Sequence, residues 1–410
     1  VIRTAAELRG ALAGALGEAL AALDPARLVH AALPPLPPRQ ARVVVIAAGK
    51  AAPAMAAGAL ARWPDRIERA LVVTASPGPD PRSLGPLARV LTGAHPVPDA
   101  RSVSAAEEAL RLAASLGPRD LLVVLISGGA SALLAAPPEA LDLAEKQALV
   151  AALLERGVPI RDVNVVRRHL SRVKGGRLGA ATGNARVLTL LLSDVIDGQP
   201  HDVGSGPSVP DPTTLEEARA VLARVGLQEP RGMSESVKPG AFRARARILA
   251  DPPALARAVA GALARRGLRV VVDPPDEGDV TAVAARRVAR AATLAPGEAA
   301  VVACEPTLRL PSVRGRGGRA GWVALAAMGD LPSDTALLCA ASDGVDGSSG
   351  SGGALVMGED AERAGAGVVA AALSGLDDAA VHAAIGTHVP GGATGHNLAD
   401  VHVMARLGAS

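Results

Sequence analysis

Residues 43–56 read VVVIAAGKAAPAMA: four apolar residues run into the small-residue turn Ala47-Ala48-Gly49, Lys50 closes the turn, and an alanine-rich segment follows. A continuous apolar run that ends in a glycine turn and leads into a helical pattern marks a strand buried on both faces, as in a parallel sheet. The same grammar recurs on either side. Candidate strands lie at 42–47, 70–74, 121–126 and 186–192, with helical patterns near 51–61, 102–116 and 142–156 between them. A second series begins with a helix near 254–266 and a strand at 268–272. It continues with a helix at about 279–292 with Asp279 as N-cap, then strands at 299–304 and 336–341. The stretch 228–253 carries Pro, Gly, Ser and charge without a sustained period, so the domain boundary falls there. At 410 residues the chain exceeds one compact core. The expectation is two α/β domains: a Rossmann-like parallel sheet over 1–240 and a smaller α/β domain over 241–410.

Composition narrows the function classes. Hydrophobic residues make up 49% and the net charge is only +3, with both signs mixed. There is no Tyr, one Phe (Phe242) and two Trp (Trp63 and Trp322), which removes base-stacking platforms and leaves no nucleic-acid surface to expect. Cys304 and Cys339 each sit in an apolar run and fit neither a disulfide framework nor a zinc pattern; they read as small buried hydrophobes in a reducing, cytoplasmic setting. Glu7, Arg9 and Glu18 interrupt the Ala/Leu-rich N-terminus, which reads as an amphipathic helix and not as a leader or a span. A soluble protein acting on small molecules, with no membrane partner, is expected, as a monomer or homodimer.

In open α/β sheets, ligands gather beyond the C-terminal strand ends. Four strand ends carry polar, glycine-rich loops: Gly49-Lys50, SGGASALL at 127–134, SDVIDGQPHDVGSGPSVPDPTT at 193–214, and SDGVDGSSGSGG at 342–353. Lys50 stands out in a chain with four lysines and 39 arginines. A cation opposes the macrodipole at a helix N-terminus, so a lysine there points to an anion shared with the helix, although a solvated surface lysine is the plain alternative. Ser127-Gly128-Gly129-Ala130-Ser131 reads either as an N–H nest for an anion or as an ordinary strand-to-helix turn. Asp194 directly follows a strand and could serve magnesium, which takes one or two carboxylates plus substrate phosphates; turn chemistry is the other reading of its loop, which also holds Asp197, His201 and Asp202. RGRGGR at 314–319 suits a phosphate or carboxylate. It matches a dinucleotide fingerprint only loosely, and no G-x-x-x-x-G-K-[ST] occurs. Lysine, arginines, aspartates and glycine nests together favour phosphoryl transfer.

The segments AAGKAAPAMA (47–56), GAHPVPDARSVSAAEEAL (93–110), ISGGASALLAAP (126–137), VVRRHLSRVKGGRL (165–178) and LLSDVIDGQPHDVGSGPSVPDPTT (191–214) resemble the glycerate 2-kinases of the MOFRL family, in the family's order. The resemblance implies two α/β domains with the active-site cleft between them. It also implies ATP- and Mg2+-dependent phosphorylation of D-glycerate to 2-phosphoglycerate. The family's catalytic lysine falls on Lys50 and its functional arginine on Arg319. Its GGRNQE motif becomes Gly317-Gly318-Arg319-Ala320-Gly321-Trp322, without the Asn and Gln, while Glu305, Asp343, Asp346, Asn397 and Asp400 are kept.

On this basis Lys50, Arg319 and Asp194 are the expected catalytic residues. Ser127, Gly128, Gly129, Ser131, Gly317, Gly318, Glu305 and Asn397 are expected around substrate and phosphate, with Asp194, Asp343 and Asp346 as candidate metal ligands. The alternatives are a kinase for another small 2-hydroxy acid, ligand binding without turnover, and a hydroxypyruvate reductase, whose dinucleotide fingerprint the chain barely offers.

Overall fold

The computed structural model describes residues 2–35, 41–75, 84–309 and 315–409. The chain forms two compact units. One comprises residues 25–249; the other joins residues 1–24 to 250–410. The sequence-based division at 240 differs from this chiefly in the N-terminal helix. That helix, Ala5–Ala22, opens with a Thr4/Glu7 capping box and buries Leu8, Leu12, Ala15, Leu16 and Ala19 along one stripe. It packs on the helix Pro252–Arg265, and Glu18 pairs with Arg265 and Arg266 of that helix region. Its apolar partner thus lies some 240 residues along the chain, a pairing that local patterning does not encode.

In the unit of residues 25–249 the strands are β1 (Val43–Ala48), β2 (Ile67–Thr74), β3 (Ala88–Thr92), β4 (Leu121–Ile126), β5 (Arg186–Leu192) and β6 (Ala244–Ala250). Their order is β3-β2-β1-β4-β5-β6, and the β1/β2, β2/β3, β1/β4 and β4/β5 pairs are parallel. β1 and β4 are buried at every position, as their unbroken apolar runs require. Helices Ala52–Arg62, Ala100–Ala114 and Leu143–Glu155 follow the expected spans; Asp99 and Asp142 cap the last two. β6 lies in the stretch read as a boundary. Its sequence, ARARILA, is mostly exposed or half-buried and edges the sheet, so it lacks a core strand's apolar run.

The other unit is built on β7 (Arg269–Val272), β8 (Asp276–Asp279), β9 (Glu298–Thr307), β10 (Thr335–Ala341), β11 (Gly353–Met357), β12 (His388–Val389) and β13 (Asp400–Arg406). The order is β12-β11-β10-β13-β9-β7, with β8 also pairing β9. β7 and β8 run parallel to β9, but β13 is antiparallel to both β9 and β10, and β11 to β10. The fold is therefore α/β as expected, with a mixed second sheet. Helices Val280–Ala292 and Arg319–Met328 cover one face through Val283, Ala324, Val302 and Met404. Asp279 caps the first of them, accepting from the Thr281 N–H. Among the described residues no helix is long and apolar enough to cross a membrane.

Candidate active site

The strand order reverses between β1 and β4, and their ends, Ala48 and Ile126, are register partners. This is the switch point at which open parallel sheets bind ligands. The loops beyond it are stitched together. Lys50 N–H donates to Gly128 O at 2.9 Å, and Ala51 N–H donates to Ser127 Oγ at 3.0 Å, bracing the start of helix Ala52–Arg62. The approach is close enough to demand glycine: at Gly49 the φ is +130°, and a Cβ would stand 2.1 Å from Ser127 Oγ. Gly129 adopts φ +86° at the head of the next helical turn, Ala130–Leu133. A Cβ there would lie 3.2 Å from the His95 ring and 3.6 Å from Lys50 Cγ, so Lys50, Gly129 and His95 converge.

Ser127 is fully buried, with its hydroxyl engaged by Ala51 and its N–H by Ala48 O. Among the described residues no protein acceptor takes the N–H of Gly128 or Gly129. Two N–H groups without a protein acceptor beside a lysine are the elements of an anion nest.

β5 continues the same edge, since Ile126 pairs with Leu191. Half-buried Asp194 follows that strand two residues beyond Leu192. With strands about 4.8 Å apart, Lys50 and Asp194 begin roughly two strand spacings from each other. Further along the loop, Asp202 meets Arg168 at 3.3 Å, and the buried Asp211 meets the same guanidinium at 3.1 Å. His201 lies 3.6 Å from Asp202. Asp211 is buried against Arg168, while half-buried Asp202 both meets Arg168 and accepts the Gln199 N–H within a turn.

Ser131, Ser205, Asn164, Lys174 and Lys146 complete this region, and apart from Ser131 none was singled out from the sequence. Ser131 Oγ and Ser205 Oγ are 2.9 Å apart, and Lys174 Nζ donates to Ser131 O at 2.6 Å and Leu134 O at 2.9 Å. The scarcity of lysine that marked Lys50 marks Lys146 and Lys174 equally.

In the other unit, the end of β10, the start of β13 and Cys304 of β9 lie side by side, because Asp400 pairs with both Ala341 and Cys304. Arg319 opens its helix there. Its Nε sits 2.9 Å from Asp400 Oδ2, and its Nη1 3.6 Å from Glu305 Oε1. Burial works against the guanidinium charge, but Asp400 and Glu305 outweigh it and raise the Arg319 pKa. Asp343 and Asn397 belong to the same edge: Thr394 N–H donates to Asp343 O, and Leu398 N–H to Ser342 Oγ.

Asp346 has a different part. Its two oxygens accept from Ala320 N–H at 3.0 Å and Gly321 N–H at 2.8 Å, so it caps the Arg319 helix. Gly317 and Gly318 face carboxylates too. A Cβ would fall 1.9 Å from Asp378 Oδ1 at Gly317 and 2.1 Å from Asp346 Oδ1 at Gly318. At Gly321 it would fall 2.3 Å from Asp378 Oδ2, leaving no room for the family's Gln. The helix N-terminus expected to face a phosphate is thus filled by the protein's own acids. Burial, with Asp346 close by, pushes the Asp378 carboxyl up to about 7. Arg314 and Pro311 of the preceding stretch lie outside the described residues.

Among the described residues no group of three or more His, Cys, Asp or Glu side chains is arranged to hold a metal ion. Each Asp346 oxygen accepts one backbone N–H group. Asp194 and Asp343 each lie just beyond a strand end.

Comparison with known proteins gives two family matches, "Domain of unknown function (DUF4147)" over residues 11–238 and "MOFRL family" over residues 298–400. A protein of Agrobacterium vitis named "Putative hydroxypyruvate reductase" is 36% identical, over 94% of this chain and 92% of its own. The "D-glycerate 2-kinase" of Thermotoga maritima is 38% identical over 54% of this chain and 51% of its own. Among solved structures, a glycerate kinase from Thermotoga maritima matches with a TM-score of 0.86 at 27% identity, covering 98% of this chain and 99% of that one. Relatives of this chain thus carry both a kinase and a reductase name. With a DUF4147 domain ahead of a MOFRL domain, and a relative 36% identical over nearly the whole of both chains, the chain belongs to the DUF4147/MOFRL family.

Proposed function

We propose that this protein transfers the γ-phosphoryl group of ATP to the 2-hydroxyl of D-glycerate, giving 2-phosphoglycerate and ADP. The observation that carries this reading is the switch-point edge, where Lys50 stands beside Gly128 and Gly129, whose N–H groups have no protein acceptor among the described residues. That arrangement suits an anion, whereas a nicotinamide enzyme calls for a dinucleotide loop. The stretch nearest to one, ahead of Arg319, is packed against Asp346 and Asp378.

In the proposed reaction the 2-hydroxyl oxygen bonds to the γ-phosphorus as the bond to the β-phosphate oxygen breaks. Lys50 and Arg319 are the proposed catalytic cations for the charge that builds on the transferred oxygens. The Gly128 and Gly129 N–H groups cradle an anionic oxygen. The Asp194 carboxylate either orients the hydroxyl and takes its proton or holds magnesium, and Asp343 offers a second carboxylate. Magnesium, when bound, neutralises phosphate charge. Glu305 and Asp400 keep the Arg319 fork charged and aimed.

The test is ADP release by the purified chain against a panel of small 2-hydroxy acids, run beside NADH consumption with hydroxypyruvate. D-Glycerate is expected to be the best acceptor, with no NADH consumed. A different best acid would redirect the substrate, and NADH oxidation without ADP release would replace the reaction.

A further inference from the structure

Three cations of the unit of residues 25–249, Lys146, Lys174 and Arg167, repel one another. Lys146 and Lys174 are only 5% and 1% exposed, and their ammonium groups meet carbonyl oxygens: Leu170 O at 2.6 Å for Lys146, Ser131 O and Leu134 O for Lys174. Arg167, half-buried, donates from Nη1 to Asn164 Oδ1 at 3.2 Å, and among the described residues it has no other protein acceptor and no ion-pair partner. Its neighbour Arg168 takes both nearby carboxylates, Asp202 and Asp211. Burial pulls Arg167 down to about 10 and Lys146 to about 7, and Arg167 adds repulsion to both lysines. Buried cations without a counter-charge are costly unless something anionic joins them.

The polar groups beside Arg167 are already aligned. Asn164 Oδ1 accepts from Ser205 Oγ at 3.3 Å as well as from Arg167, and Ser205 Oγ meets Ser131 Oγ at 2.9 Å. Ser205 is held at φ +61° between Gly204 and Gly206, which also have positive φ. A non-glycine residue keeps that conformation only where its surroundings fix it, and such positions concentrate at binding sites. Ser131 in turn lies two residues beyond Gly129 of the nest.

We propose that Arg167, Asn164, Ser131 and Ser205 form a subsite for an oxyanion of a substrate, either the carboxylate of the hydroxy acid or a phosphate of the nucleotide. The planar guanidinium fork matches either group through two parallel hydrogen bonds. The identity of the two substrates rests on the kinase reading; the anion site itself does not.

The test uses the full chain as wild type, R167Q and R167K. Binding of inorganic phosphate, D-glycerate and ATP is followed by thermal shift and calorimetry, and KM for each substrate is measured separately. R167Q is expected to weaken binding of at least one probe tenfold or more, and R167K to restore part of it. A tenfold rise in KM for D-glycerate assigns the carboxylate; a rise for ATP assigns the phosphate. Without ligand, R167Q should melt no lower than wild type, because it loses repulsion and only one hydrogen bond. Unchanged binding and unchanged KM values in R167Q overturn the proposal, as does a wild type that binds none of the three probes. A fall in kcat and melting temperature with intact binding would overturn it too, reducing Arg167 to a structural residue. If wild type binds the probes better than R167Q yet phosphorylates nothing, the kinase reading fails and the subsite stands.

Discussion

Lys50 sits one residue before the cap of helix Ala52–Arg62, where the macrodipole disfavours a cation, and its backbone is tied to Gly128. If its charge serves the transferred phosphoryl group, Lys50→Ala should lower kcat at least 100-fold, equivalent to about 3 kcal/mol or more of transition-state stabilisation. Its melting temperature should stay within about 3 °C of wild type, since no core packing is lost. Lys50→Arg should recover little, because the fork cannot stand where a compact ammonium does. Full turnover in the alanine variant would remove Lys50 from the mechanism. Gly49 predicts the reverse pattern. Gly49→Ala forces a Cβ against Ser127 at a φ that side chains avoid, so a loss of about 2–4 kcal/mol in denaturant unfolding is expected. Lys50 was legible because a rare residue type stood at a strand end. Lys146 and Lys174 are as rare, but their significance lies in burial among other cations, and burial against distant segments leaves no local mark in a sequence.

At the scale of elements, the helix Arg319–Met328 concentrates the second unit's chemistry. Its first turn lies on two acids, Asp346 and Asp378, with glycines at 317, 318 and 321 because carboxylates occupy the space a side chain would need. Asp378 is raised from 3.8 to about 7 by burial and by Asp346. A carboxyl raised in the folded state contributes stability that is fully present below about pH 4 and is lost as pH rises through about 7. Wild type should therefore melt several degrees lower at pH 8 than at pH 5, and Asp378→Asn should flatten much of that slope. Equal slopes in the two proteins would show that Asp378 is ionised throughout. The strands around this helix were only partly legible. β9 and β10 carry apolar runs and were found. β13 reads DVHVMAR, with polar residues at buried positions: Asp400 pairs with Arg319 and His402 accepts from Arg287. Those partners come from other elements, which no periodicity reveals.

Over the whole molecule, the parallel sheet was readable because each buried strand is a continuous run closed by a glycine loop. The mixed character of the second sheet was not, since strand direction is set by long connections such as the 42 residues between β11 and β13. The return of the N-terminal helix to the C-terminal unit was hidden for the same reason. The most direct measurement is the product itself. Purified protein with ATP, Mg2+ and D-glycerate, followed by phosphorus NMR, should yield phosphate on the C2 oxygen in equal amount with ADP. Hydroxypyruvate with NADH should stay unchanged. Phosphate on C3, or NADH oxidation with no phosphoglycerate at all, would contradict the account.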